Sequence, residues 1–431
     1  MRTPHFLQQA GGPGGITACQ EGCDLLPKVH VVIMARCAIL AAVAALTLFL
    51  VSMAICAYTV FGYPLLLWLE ARLFRRPVRK GPLRATVTVI LPVHNGERFI
   101  AAKLDSIQRL NYPADLMDIL VLSDGSTDGT DEIAAAYAAR TNLHLIVLPQ
   151  GGKAAALNVG MANATGEILF FTDVRQELEP QSLSNLVECF ADPKVGAASG
   201  ELIIREGTGT EEASVGLYWK YEKWIRKQQS RIHSVMGTTG CIYAMRRRLA
   251  QPLPPGTLVD DMYLPLSAFF EGYRIILDDS AIAYDFPTQL AGEFRRKVRT
   301  LAGVYQVIGQ YPKLLTPRNR MWLHFLSHKL ARLLMPWAML AAFFSSFALP
   351  PPLKGWAIAL QVTAYALAAL DFVMPDGLPP KKLTSPLRTF MVLMAASLCA
   401  ISIFFLPARS LWPVSPVRAT ENPGGANHTT E

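Results

Sequence analysis

Several short routes to a function are closed by what this chain does not contain. No GxGxxG follows its first strand-like segment and no GxxxxGK[ST] occurs in it, which excludes the dinucleotide and P-loop readings. It has no RNP-type, zinc-finger or helix-turn-helix pattern, so nucleic acid is left without a module to bind it. Its 7 cysteines make no framework. Cys19 and Cys23 lack a second pair to complete a zinc site, and Cys37, Cys56 and Cys399 fall in or beside apolar segments. Cys189 and Cys241 stand singly, as buried thiols do, which fits a reduced, cytosol-facing region. There is no internal repeat, which argues against a carrier.

What the chain has in excess is apolar sequence. Of its 431 residues 51% are hydrophobic, the mean hydropathy is +0.27, and the excess sits before residue 70 and after residue 330. The formal net charge is +8. Because the basic residues crowd beside the apolar blocks, a lipid bilayer is their expected partner. Residues 37–69 exceed the roughly 20 needed to cross hydrocarbon, and no small-residue cleavage site marks them as a removable signal. Arg72, Arg75, Arg76, Arg79, Lys80 and Arg84 follow, a cytoplasmic flank by the positive-inside rule. Residues 330–349, 356–374 and 389–406 are three further spans, and Lys381, Lys382 and Arg388 put the loop between the last two on the same side.

The expected organisation is an irregular extension over 1–36 (with Met34 an alternative start), a span over 37–69 and a catalytic domain over 84–290. Interfacial helices over 291–329, three spans within 330–406 and an irregular tail over 407–431 complete it. This orientation places the domain on the cytosolic side of the cell (inner) membrane. Asp371, inside the third span, is read as lying at the membrane interface.

Between the apolar blocks, TVTVILPVHN (86–95) is β-branched and ends on Asn, a first core strand. Residues 98–110 have helical spacing and stop at NYP. DILVLSDGSTDGT carries a second strand, 118–122, into a turn, and Thr127 or Asp128 caps a helix to Arg140. LHLIVLP is a third strand, GGKAAALNVGMANA a glycine turn opening a helix, and ILFFTD a fourth strand. Strands alternating with helices predict an α/β, doubly wound sheet whose ligand edge gathers the strand ends. Asp124, Lys153 and Asp173 fall at such ends. An apolar run stopping on Asp173, with Arg175 two residues on, points to a ligand that includes an anion.

Plainer roles compete for each. Asp124 is suited to cap the helix that follows it, Lys153 to be a solvated helix-start lysine, and Asp260 and Asp261 to face a helix dipole. In VGLYWKYEKWIRKQQSRI, Leu217, Tyr221, Trp224 and Ile225 form one face and Lys220, Lys223, Lys227 and Arg231 another. That pattern suits the headgroup layer, with a buried helix of the domain as the alternative.

Taken in order, LPVHN, SDGSTD, GGKAAALN, FFTDVR, GTTGCIYAMRR, VDDMYLPL and FRRKVRT resemble the family-2 glycosyltransferases of GT-A fold. The membrane-integrated branch, with its hyaluronan, chitin, cellulose and poly-N-acetylglucosamine synthases, is the most similar, and the resemblance covers 87–311. It implies a cytosolic GT-A mixed sheet with flanking transmembrane and interfacial helices. It also implies inverting transfer from a nucleotide sugar, usually a UDP-sugar, to a polysaccharide or lipid-linked acceptor. On that match Asp124 contacts the base, Asn95 and Glu97 lie where base or ribose contacts fall, and Lys153 pairs with phosphate.

Asp173 takes the place of the first DxD acid, which holds Mg²⁺ or Mn²⁺ on the diphosphate. Arg175 replaces the second acid and either contacts diphosphate or points away. Asp261 matches the general base and Asp260 the acid before it; two adjacent carboxylates raise at least one pKa. Thr239, Gly240 and Cys241 lie in a small-residue segment that an acceptor can approach. In FRRKVRT, Arg296 and Thr300 replace the Gln and Trp of QxxRW, while Arg299 keeps the arginine suited to diphosphate. The missing Trp removes a platform for the acceptor sugar and weakens processivity. Two other readings stay open: a non-processive transferase to a polyprenyl phosphate or glycolipid, and a degenerate nucleotide-sugar sensor or export-channel subunit. Arg175 favours the sensor, and Asp261 and Arg299 oppose it.

Overall fold

The computed structural model describes residues 14–205, 210–286, 290–375 and 378–411. The chain divides into two units, Met1–Cys56 with Trp337–Ala364 and Ala57–Pro336 with Tyr365–Glu431. In the second unit, eight strands form one sheet: β1 (Val87–Val93), β2 (Met117–Asp124), β3 (Leu143–Leu148), β4 (Ile168–Phe171), β5 (Glu177–Leu178), β6 (Val195–Ile204), β7 (Tyr243–Arg246) and β8 (Arg274–Asp285). Their spatial order is β3-β2-β1-β4-β7-β6-β8-β5. The pairs β1/β2, β1/β4 and β2/β3 are parallel, and β7 runs antiparallel to both β4 and β6. The sheet is therefore mixed, as expected of its class.

Its two faces are both covered, because side chains alternate along each strand. Ile90 of β1 packs with Leu120, Leu122 and Leu157, whereas its neighbours Val89 and Leu91 pack with Ile100, Leu104 and Ile107. The helix Glu97–Gln108 lies on the second side and Lys153–Asn163 on the first. With Val93 paired to Ser123 and Asp124 to Leu148, the carboxyl ends of β1, β2 and β3 finish together. β4 ends nearby at Phe171, paired to Ile90 of β1.

The helix Thr210–Ile232 was expected at the headgroup layer. Within its described part Ile225 is fully buried against Tyr63, Leu67 and Ala71, and Trp224 packs on the same cluster. The helix Leu290–Gln310 buries Leu301, Ala302, Val304 and Val307 in the core. A Cβ on its Gly303 would lie 2.7 Å from Val259 Cγ1, so glycine permits that contact.

Three helices are long and apolar enough to cross a membrane among the described residues: Ile33–Leu73, Leu353–Leu370 and Lys381–Phe404. The other expected span, 330–349, is not among them: its helix Ala331–Ser346 continues without a break from the helical turns Trp322–His324 and Phe325–Leu330, so the run is long enough but less apolar. Lys329 and Arg332 cut its apolar run at one end and Pro350 at the other. Asp371 lies just past the helix Leu353–Leu370 and is paired inside the protein. It is fully buried, its Oδ2 lies 3.0 Å from Arg388 Nε, and it accepts hydrogen bonds from Thr384 and Ser385. The helix Gly14–Ala57 begins inside the segment read as irregular, and residues 1–13 and 412–431 lie outside the described residues.

One glycine tests how tightly the central strands β1 and β4 dock. A Cβ on Gly166 would sit 2.5 Å from Thr88 N and 2.7 Å from Val87 C, both backbone atoms that cannot rotate aside. Gly166→Ala should cost about 1–3 kcal/mol through forced backbone displacement. Thermal unfolding of the full chain in detergent reads this as a lowered midpoint; an unchanged midpoint would mean that β1 and the turn before β4 separate freely.

Candidate active site

The site grows from the glycine turn after β3. Gly152 has φ +87° and ψ 160°, a combination open to glycine, and this turns the amides of Gly151 and Gly152 toward β2. Asp124 receives them: its Oδ1 accepts from Gly151 N at 2.7 Å and its Oδ2 from Gly152 N at 2.9 Å. Asp124 therefore braces this turn and does not cap the helix that follows it. Asp128 does that instead, accepting from Thr130 N at 3.2 Å. Asn95, at φ +51°, accepts from Thr127 N at 2.8 Å, and Glu97 Oε2 accepts from Gly129 N at 3.2 Å. Both residues hold the loop that leaves β2.

The turn delivers Lys153, the first residue of its helix. The Lys153 ammonium lies 2.9 Å from Asp173 Oδ1 and 3.2 Å from Asp260 Oδ1, so it is no solvated lysine. Burial works to lower its pKa, but the charges of Asp173 and Asp260 overcome that and raise it above the usual lysine value. One cation thus joins the end of β4 to the start of the helix Asp260–Phe270.

Asp261 follows in the first turn of that helix. Its backbone oxygen accepts from both the amide and the hydroxyl of Thr238, each at 2.8 Å, which clamps the helix start to the small-residue turn. A Cβ on Gly240 would lie 3.3 Å from Asp261 Oδ2, so glycine leaves the carboxylate room. Burial raises the Asp261 pKa to about 6, the Asp260 charge adds to the rise, and Lys153, Arg299 and Lys329 oppose it. Of the other two small residues, Thr239 donates to Gly200 O at 2.8 Å and Cys241 is buried, its thiol pushed up by burial to about 12. Gly240 stands against the Asp261 carboxylate.

Two predicted phosphate ligands are engaged elsewhere. Arg175 pairs at 2.5 Å with Asp285, a nearly fully buried acid that also accepts from Gln176 Nε2 at 2.9 Å. Its Nη2 is turned to Asp285, away from Asp173, which is the second of its two sequence readings. Arg296 meets Glu293 with both Nε and Nη2 at 3.0 Å. Arg299 does stay with the acids, close enough for its charge to lower the Asp261 pKa.

Among the described residues no group of three metal-ligating side chains exists. Asp173, however, uses only Oδ1 for Lys153, and its side chain is 37% exposed. A single half-exposed carboxylate fits a hard divalent ion that brings its remaining oxygens with a diphosphate.

Three residues near the site escaped the sequence reading. Arg226 donates to Thr239 Oγ1 at 3.0 Å and Ser199 Oγ at 3.1 Å, behind the small-residue turn. Lys329 acts on the Asp261 charge from a π-helical turn, Phe325–Leu330. Lys103 is buried beneath the Asp173 loop, and burial lowers its pKa to about 7. None carries a local motif; each is a cation on a helix whose partner lies on another segment.

Residues 88–253 match the family model Glycosyl transferase family 2, and residues 176–373 match Glycosyl transferase family group 2. The chain is 26% identical over 218 residues to a probable glycosyltransferase, YdaM, of Bacillus subtilis, covering 46% of this chain and 50% of that protein. It is 27% identical over 241 residues to an N-acetylglucosaminyltransferase of Rhizobium meliloti, covering 52% and 56%. The chain thus spans about half the length of these curated relatives. Among solved structures, the mannosyltransferase PcManGT of Pyrobaculum calidifontis, in complex with GDP-Man and Mn²⁺, superposes with a TM-score of 0.65 at 27% identity. That match covers 83% of this chain and 99% of the mannosyltransferase chain. With this mixed sheet and these matches, the chain carries a glycosyltransferase family 2 domain built on the GT-A fold.

Proposed function

We propose that the protein transfers a sugar, with inversion, from a cytosolic nucleotide sugar to a polysaccharide or lipid-linked acceptor. One observation carries the reading: Lys153 draws Asp173 and Asp260 together at 2.9 and 3.2 Å, with Asp261 beside them and the Asp124-bound glycines one residue away. Asp124 and the loop held by Asn95 and Glu97 face the nucleotide, and the Asp124 carboxylate keeps acceptor capacity beyond its glycine amides. Lys153 and Arg299 meet the diphosphate. Asp173 would hold Mg²⁺ or Mn²⁺, which would supply charge neutralisation on the leaving diphosphate. Asp261 takes the proton from the attacking acceptor hydroxyl, and a pKa near 6 suits a base working at neutral pH. The Gly240 side admits the acceptor.

The capture of Arg175 by Asp285 supports catalysis over a degenerate sensor, because the cation that replaces an acid does not cover Asp173. The solved relative holds GDP-Man and another relative is named for N-acetylglucosamine, so donors of both nucleotide types are candidates. The three apolar helices and the basic stretch after residue 70 support a membrane setting with the site on the cytosolic side. Thr300, whose hydroxyl bonds back to Arg296 O at 2.8 Å, offers no sugar platform. That favours a single transfer to a lipid-linked acceptor over processive polymerisation.

Full-length protein in membranes should release nucleotide from UDP-GlcNAc, UDP-glucose or GDP-mannose with Mn²⁺ or Mg²⁺, and product mass identifies the acceptor. Asp261→Asn should lower transfer about 10²-fold or more while nucleotide affinity stays. The wild-type rate should fall as pH drops through about 6, where Asp261 protonates and ceases to act as a base. Full activity in Asp261→Asn would refute the base assignment. Lys153 lowers the Asp261 pKa, so Lys153→Met should move that acid limb to higher pH; a limb that stays in place or moves down would separate Lys153 from the base.

A further inference from the structure

Lys103 has no part in the chemistry above, yet it is only 1% exposed. It points from the helix Glu97–Gln108 under the end of β4. Its Nζ donates to Thr172 Oγ1 at 2.6 Å and to Gln176 O at 2.7 Å. These two acceptors are the residues on either side of the loop Asp173, Val174, Arg175. Thr172 Oγ1 passes the contact on, donating to Cys241 O at 2.8 Å. Cys241 directly follows Gly240, whose bare Cα faces the Asp261 carboxylate.

Among the described residues Lys103 forms no ion pair with a carboxylate. An ammonium held this deep by hydroxyl and carbonyl oxygens alone is expensive, and a methionine would fill the same volume without that cost. A lysine here is best explained by what its two short bonds fix. A threonine hydroxyl that receives one hydrogen bond and donates another has its rotor set, so the relay fixes both the loop and the turn.

We propose that Lys103 is a positioning residue that sets the Asp173 carboxylate relative to Asp261, holding both ends of the Asp173 loop directly and the Gly240 turn through Thr172. The inference rests on the glycosyl-transfer reading and names a residue that acts through others. Lys103 touches no reacting atom. Its effect falls on the donor side through Asp173 and on the acceptor side through the Gly240 turn.

The test uses the full chain in detergent with Lys103→Met, Lys103→Arg, Thr172→Val and Thr172→Ser. Hydrogen–deuterium exchange of the peptide spanning residues 172–177 is read without donor. Mn²⁺ affinity is then measured in the presence of UDP or GDP, and kcat and KM on the donor the wild type turns over. Lys103→Met should speed exchange at 173–176 and weaken Mn²⁺ about 10-fold or more, the scale typical of lost outer contacts to a metal ligand. Lys103→Arg should recover part of both, Thr172→Val should follow Lys103→Met in direction, and Thr172→Ser should match wild type. Folded Lys103→Met with wild-type exchange and wild-type Mn²⁺ affinity overturns the proposal. Should that variant fail to fold, Thr172→Val with wild-type values overturns it equally. A wild-type protein that binds neither nucleotide nor Mn²⁺ would defeat the functional reading, while the exchange data would still report on the strap.

Discussion

The site depends on one ammonium. Asp173, Asp260 and Asp261 come from two segments nearly ninety residues apart in sequence, and ionised carboxylates gathered at one sheet edge repel one another. Lys153 Nζ, between Asp173 and Asp260, makes their approach favourable and leaves Asp261 as the acid with the raised pKa. The division of labour follows from position. The acid that Lys153 touches at the strand end keeps one oxygen for a ligand, and the acid beyond its direct reach is the one disposed to hold a proton near neutral pH.

The lysine is placed by backbone geometry as much as by charge. Gly152 at φ +87° lets two successive amides turn onto Asp124, and Lys153 follows at once. Asp124, by accepting from both glycine amides, thereby fixes where Lys153 enters the crevice. The remaining cations are distributed by the same rule of local satisfaction. Arg175 is drawn off by Asp285 and Arg296 by Glu293, so neither adds positive charge against Asp173. Arg299 remains with the acids.

The first half of this arrangement is legible in the sequence because β1, β2 and β4 are parallel strands largely buried on both faces, and unbroken apolar runs stopping on polar residues identify such strands. Asp124 and Asp173 lie at those stops. The later strands leave weaker traces. β6 contains VGAASGE, small and polar residues that read as loop, and β8 is interrupted by DDS. The direction of an arginine is harder still. Arg175 and Asp285 are 110 residues apart, and no spacing rule connects them. Asp371 shows the same difficulty: nothing in its apolar run points to Arg388, on the next helix, as its partner.

The helix Thr210–Ile232 shows why composition misjudges charge. Lys220, Lys223, Lys227 and Arg231 suggest a headgroup-layer face, yet Glu222 on the same helix is buried and holds Arg332 at 2.8 Å and His328 at 3.2 Å. Burial lowers the His328 pKa to about 4, so the imidazole is neutral at physiological pH and Arg332 supplies the countercharge. Four residues on, one helical turn along the same side, Arg226 reaches Thr239 in the turn beside Asp261. The helix therefore fixes a buried anion toward the helix Ala331–Ser346 and a cation toward the active site. Removing either partner strands a charge in a poorly solvated place, which costs far more than the loss of a surface pair. A hydrophobic-moment reading counts such residues as polar and assigns them to solvent, since burial with a distant partner leaves no mark on the local pattern. The same helix packs Ile225 on Tyr63, Leu67 and Ala71, so it links the turn beside Asp261 to the helix Tyr63–Leu73.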